Sequence, residues 1–120
     1  MTIRNHTRQL DLASYAVVAA SFARRLRGWM GKRRAELGEG LVIYPCNSIH
    51  SCFMRFPFDA VFVSRQGRVV HLMQAMPPWR VSPVVREACL VIELPAGTVA
   101  STGTGIGDEI IFEGWQIPAQ

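Results

Sequence analysis

No run of apolar residues in this chain of 120 residues is long enough to cross a bilayer as a helix. The longest stretches free of acidic and basic side chains, such as Leu41 to Met54, fall well short of the ~20 residues that a spanning helix needs. Cysteine is scarce. Three residues, Cys46, Cys52 and Cys89, are too few and too odd in number for a disulfide framework. Free thiols favour a reducing compartment, so the cytoplasm is the expected location. Charged side chains make up only 18% of the chain, and 49% is hydrophobic. That balance excludes intrinsic disorder. The length fits one domain rather than several.

Lysine is almost missing: Lys32 is the one lysine among 13 basic residues. The formal charge is +4, and the excess is uneven. Residues 1–60 hold nine basic and four acidic side chains, residues 61–120 four and five. The basic character gathers in Arg24 to Arg34. Such a cluster can attract phosphates, membranes or acidic partners. Its plainer reading is a solvated helix face. A nucleic-acid partner is not expected, because aromatic side chains are not interleaved with the arginines on a strand.

Residues 1–11 are polar and predict a loose N-terminal segment. Leu12 to Ala20 reads as a strand. Arg4 and Arg8 before it suggest a leader peptide, but Asp11, Ser14 and Tyr15 interrupt the apolar pattern and Arg24 and Arg25 follow closely, so folded protein is expected here. Ser21 to Met30 predicts a helix capped by Ser21. Phe22, Leu26, Trp29 and Met30 recur with helical spacing on one face. Gly28 weakens that helix and would let it lie close against another backbone, and Gly31 fits the position after its end. Leu41 to Tyr44 predicts a strand, stopped by Pro45. Ile49 to Met54 predicts another, stopped before Pro57. Ala60 to Val63 and Val69 to Met76 flank the turn signal Arg65-Gln66-Gly67 and predict a hairpin. Residues 79–88 predict a loop, Cys89 to Leu94 a strand, Thr98 to Gly107 loops with a short turn, and Glu109 to Phe112 a closing strand. The pattern predicts a mainly β domain over 12–120, with one or two short helices. Its form is a small β-sandwich or partly open barrel.

The segment Tyr44 to Asp59 is the densest in reactive side chains. If Ile49 to Met54 is a strand, His50, Cys52 and Met54 share one face. His50 and Cys52 could then serve a metal or act as base and nucleophile. Two ligands make no zinc site, though, and no nucleophile motif surrounds Cys52. No metal and no cofactor is expected. Gly103, Gly105 and Gly107 lack the spacing and the strand–helix setting of a dinucleotide fingerprint. Asp59 and Glu93 are carboxylates among apolar neighbours, where burial demands a partner. Asp59 is most simply a turn residue accepting backbone N–H groups, and Glu93 a rim residue or the partner of an arginine. Trp79-Arg80, after Pro77-Pro78, suits ligand stacking or anchors its loop by burying the indole.

An ordered set of motifs runs along the chain. It comprises Ser21 to Gly31, Gly40-Leu41 through Pro45-Cys46, Ser48-Ile49-His50, Phe53 to Asp59, Pro78-Trp79-Arg80, Ile92 to Gly97 and Gly107-Asp108. Over about residues 12–113 this set resembles the domain-of-unknown-function family numbered 192, an uncharacterised prokaryotic family. The family pattern has Leu or Met where Trp29 stands, a hydrophobic exchange that alters packing only. The resemblance implies a small β-rich domain and no established reaction, cofactor or substrate. Its signature positions able to bind something are Cys46, His50, Met54, Arg55, Asp59, Trp79, Arg80 and Glu93.

The expected function is a non-enzymatic domain that binds a small ligand or a protein partner. Its candidate pocket is lined by His50, Arg55, Asp59, Trp79, Arg80 and Glu93. One alternative is a metal-binding protein or hydrolase centred on His50, Cys52 and Asp59. Another is a basic interaction domain using Arg24 to Arg34.

Overall fold

The computed structural model describes residues 1–119. Eight strands of the described residues form two sheets. The larger holds β3 (Tyr15–Ala19), β4 (Glu39–Ile43), β7 (Ala88–Pro95), β5 (Phe58–Ser64) and β6 (Val69–Met76), in that spatial order. The smaller holds β2 (Leu10–Ala13), β1 (Thr2–Asn5) and β8 (Ile110–Glu113). Among the described residues only the β3–β4 pair is parallel, and the chain crosses between them through α1 (Phe22–Arg27). A second short helix, α2 (Thr98–Thr102), follows β7. The result is mainly β with two short helices. The sheets stack without closing into a barrel.

Alternation along the strands divides the core in two. Val61, Val63, Leu90, Ile92 and Leu94 face the smaller sheet and pack with Ile3, Leu12 and Ile110. Phe58, Ala60, Phe62 and Val91 face the other way. There Trp29, Ile49 and Met54 cover them from the turn after α1 and the loop after β4. The turn at Arg65-Gln66-Gly67 joins β5 and β6 as expected, with Gly67 at φ +82°.

The structure corrects the reading of the sequence at four places. Residues 1–11 are not loose. Strand β1 lies at the centre of the smaller sheet, with Ile3 and Asn5 wholly buried. Its polar residues find partners far along the chain: Asn5 Nδ2 donates to Asp108 Oδ2 and Thr104 Oγ1, each at 3.0 Å. Leu12 to Ala20 is not one strand, because the chain changes sheets at Ser14, between β2 and β3.

The helix over Ser21 to Met30 stops after Arg27. Ser21 Oγ caps it by accepting the Arg24 N–H at 3.2 Å, as its sequence predicts. Gly28 then turns to φ +50°, ψ −130°, which no helix continues. Only Trp29 of the expected apolar face is buried, while Phe22 and Leu26 are 73% and 54% exposed. Ile49 to Met54 is no strand either. A single bridge joins His50 to Val81, and Phe53 sits at φ +65°. Ile49 N–H donates to Ser82 Oγ and Ser51 N–H to Arg80 O, so side-chain and loop bonds replace a ladder.

Candidate functional site

The loop from Pro45 to Met54 and the segment Phe22 to Trp29 stand over one end of the larger sheet and enclose a cavity of about 280 Å³. Its floor is Glu93 on β7 and Ile43 on β4. Trp29, Ile49 and Met54 form buried apolar walls, and Phe22 and Leu26 form exposed ones. Trp29 is held by Phe56 and Phe58, with ring centroids 5.9 and 6.5 Å away. Arg25, Arg27, Cys46, Asn47, Ser48, His50 and Cys52 supply the polar lining.

Glu93 is the unusual member. It follows Val91 on the same face of β7, so alternation sends its carboxyl beneath the cover rather than to solvent. It is 2% exposed. Burial pushes its pKa up to about 8, against the opposing pull of a hydrogen bond from the Trp29 backbone. Among the described residues, two buried side-chain polar atoms lack any hydrogen-bond partner: Glu93 Oε1 and Arg25 Nε. Both belong to residues lining this one cavity. Orphaned polar atoms of this kind cost free energy and call for a partner.

The remaining lining is ordered. His50 Nδ1 accepts the Cys52 N–H at 3.1 Å, so Nε2 carries the ring proton and donates to Leu26 O at 3.1 Å. The imidazole thereby ties the loop to the end of α1. Arg25 Nη1 donates to Pro45 O at 3.2 Å, and its guanidinium lies 5.9 Å from the Phe22 ring centroid. Cys46 Sγ donates to Ser48 O at 3.1 Å, and burial pushes this thiol up.

Gly28 approaches the carboxyl directly. A Cβ at this position would meet Glu93 Oε1 at 3.3 Å and Oε2 at 3.4 Å. The glycine expected to let the helix meet another backbone instead admits a buried acid. We expect Gly28→Ala to destabilise the protein by about 1–3 kcal/mol in urea unfolding, through backbone strain and this contact together. Gly31→Ala is the control. It shares a positive φ (+80°) but has open space around it, so a loss of only about 1 kcal/mol should follow. Equal losses at the two sites would remove the contact with Glu93 from the explanation.

Of the six pocket residues expected from sequence, the structure brings only His50 and Glu93 into the cavity. Asp59 lies on the opposite face of the sheet. Its Oδ1 accepts the Ala75 N–H and its Oδ2 the Val99 N–H, both at 2.8 Å. It therefore joins β6 to the first turn of α2. Trp79 is 57% exposed and packs on Phe53 at a centroid distance of 4.6 Å. Arg80 and Arg55 are exposed and outside the cavity lining. His50 and Cys52 line the cavity while Asp59 lies across the sheet, bound to Ala75 and Val99, so the three do not converge. No three metal-ligating side chains gather among the described residues. Within the basic cluster, Lys32 pairs with Glu39 and Arg34 with Glu36. Arg25 and Gly28 are among the cavity residues that the expected pocket left out. Each was legible only as part of a helix, and nothing local showed that they line one cavity with Glu93.

A hollow lined by Pro45, Cys46, Asn47, Arg65, Ala88 and Cys89 shares the first three of these residues with the cavity. It contains no orphaned buried polar atom.

The architecture is an open two-sheet β-sandwich with a roofed cavity at one end, a class defined by shape rather than by a reaction. The chain belongs to the uncharacterised family expected from its motifs, described as Uncharacterized ACR, whose model matches residues 3–112. It is 32% identical over 114 residues to UPF0127 protein PH1112 of Pyrococcus horikoshii, covering 90% of this chain and 96% of that protein. It is likewise 32% identical over 63 residues to UPF0127 protein PF1050 of Pyrococcus furiosus, a match spanning about half of each chain (52% and 53%). Two crystal structures share the fold, each with a TM-score of 0.79 over 92% of this chain. One is a protein of unknown function from Novosphingobium aromaticivorans, 19% identical and covered over 82% of its length. The other, from Sinorhizobium meliloti, is provisionally described as a transcription regulator, 22% identical and covered over 89%. No reaction is assigned by any of them. No helix of the described residues is long and apolar enough to cross a membrane.

Proposed function

We propose that this protein is a small-ligand-binding domain whose site is the cavity beneath α1 and the 45–54 loop. The observation that carries this reading is Glu93 Oε1, buried and without a partner at the cavity floor. Few large polar groups are buried without compensation, and a bound molecule would supply it. The lining supports the same reading: apolar and aromatic walls with a small number of polar groups suit a small molecule. Its volume is adequate, since a cavity of about 150 Å³ already accommodates benzene. The ordered environments of His50 and Cys46 favour binding over nucleophilic chemistry. A reducing compartment such as the cytoplasm fits its three free thiols.

Thermal unfolding against a panel of small acids, sugars, nucleotides and amides tests this. A ligand at a hundred times its Kd adds about 2.7 kcal/mol, raising the midpoint of a domain this size by roughly ten degrees. Glu93→Leu should abolish the shift. A panel with no shift, or a shift retained in Glu93→Leu, would overturn the reading and turn attention to a protein partner.

A further inference from the structure

The two orphaned atoms and the charges around them define what the cavity should accept, given that it binds a small molecule as proposed above. Arg25 Nε is a donor under all conditions, because guanidinium does not deprotonate in proteins. Glu93 is the one acidic side chain in the lining, against Arg25 and Arg27. Buried as it is, its carboxyl holds a proton near neutrality and offers an O–H donor with its carbonyl oxygen. The cavity therefore carries net positive charge and surplus donors. A ligand answering both is a hydrogen-bond acceptor that carries negative charge. The walls of Trp29, Ile43, Met54, Phe22 and Leu26 demand that the rest of it be apolar.

We propose that the cavity takes a small organic monocarboxylate, an apolar ring or short chain bearing one carboxylate, held by Arg25 and by the Glu93 carboxyl group. A cationic ligand would face the two arginines and find no ionised acid. A neutral amide would leave the arginine charge unanswered.

Binding then depends on pH with a definite sign. An anion in a cavity of this size lies within a Debye length of Glu93, so ionisation of Glu93 opposes it. Affinity should hold below about pH 8 and fall roughly tenfold per pH unit above it, one proton being required per ligand. The groups that share this space with Glu93 are Arg25 and Arg27 from α1, and Cys46, His50 and Cys52 from the loop. Its sheet neighbours, Leu41 and Ala60, carry no charge. Cys46 is pushed upward and does not titrate in the same range.

Benzoate, benzamide and benzamidine share one shape and differ in charge, so they separate the cases. The full chain, labelled with nitrogen-15, is titrated with each at about pH 6 and about pH 9 while the amides of Gly28, Trp29 and Asn47 are followed. Benzoate should bind about tenfold or more tightly than the other two at the lower pH and lose that advantage at the higher. Arg25→Gln should erase the preference for benzoate. Glu93→Gln, neutral at every pH, should abolish the pH dependence, and the dispersion of its spectrum shows that it is folded. Tightest binding of benzamidine or benzamide at these amides would overturn the carboxylate assignment while leaving the ligand cavity in place. No response to any probe at either pH would overturn both.

Discussion

Raising the pH from about 4.5 to about 8 should cost this protein on the order of 5 kcal/mol of stability through Glu93 alone. The carboxyl moves from its ordinary value of 4.5 to about 8 on burial, with desolvation as the leading cause. A raised acid binds its proton more tightly in the folded than in the unfolded chain. Below both values the group is neutral in either state and contributes nothing to the pH dependence. Between them the unfolded chain ionises and gains, so stability falls as pH rises. Above about pH 8 the folded protein ionises too, and the loss is complete. The acids whose pKa is depressed, Asp108 and Glu39, act below this window. Their contribution is present at neutral pH and is lost as pH falls through the carboxylate range, the opposite sense. The raised thiols of Cys46 and Cys89 act above it. Glu93→Gln isolates the effect, because the amide cannot ionise. Urea unfolding of both proteins at about pH 5 and about pH 8 should show the parent weakening and the variant much flatter. At the higher pH the variant should be the more stable protein. Parallel profiles would mean that Glu93 is ionised and compensated in the folded state, and the site would need another explanation.

Asp59→Ala should destabilise the protein by about 3–5 kcal/mol, a large part of the total for a domain of this kind. Asp59 is wholly buried. It accepts one N–H from β6 and one from α2, at positions 75 and 99. Truncation leaves both donors unsatisfied and opens a void between the sheet and α2. Asp59→Asn should cost less, about 2–3 kcal/mol, since the amide oxygen keeps one donor while its NH2 group confronts the other. Neither change should alter binding in the cavity, which lies across the sheet. Denaturant unfolding checks the stabilities and their order. A near-neutral Asp59→Ala would show that water or a backbone shift replaces the carboxylate, and that Asp59 is not what fixes α2.

Several elements were readable locally. The β5–β6 hairpin follows from Gly67 between two β-branched runs, and β7 from its own apolar run. The cap of α1 is a property of Ser21 and its next three residues. Its end was misread because periodicity continues through Gly28 whereas the backbone does not. Ile49 to Met54 has strand composition, yet its bonds go to Ser82 and Arg80 of a distant loop. Polar β1 resembles a tail until Asp108 and Thr104 are placed beside Asn5.

The sequence by itself determined a single mainly β fold with short helices, its family, and the two acids that break its most apolar strands. It could not assign those acids their roles. Register decided that: β5 and β7 pair Ala60 with Glu93 and Asp59 with Leu94. Neighbouring positions on a strand point to opposite faces, so this offset sends Glu93 beneath Gly28 and Trp29 and Asp59 toward α2. One carboxyl thereby meets backbone donors that complete its bonding, and the other meets a cavity that leaves an oxygen unanswered. That difference arises from contacts between residues tens of positions apart, which no local pattern encodes.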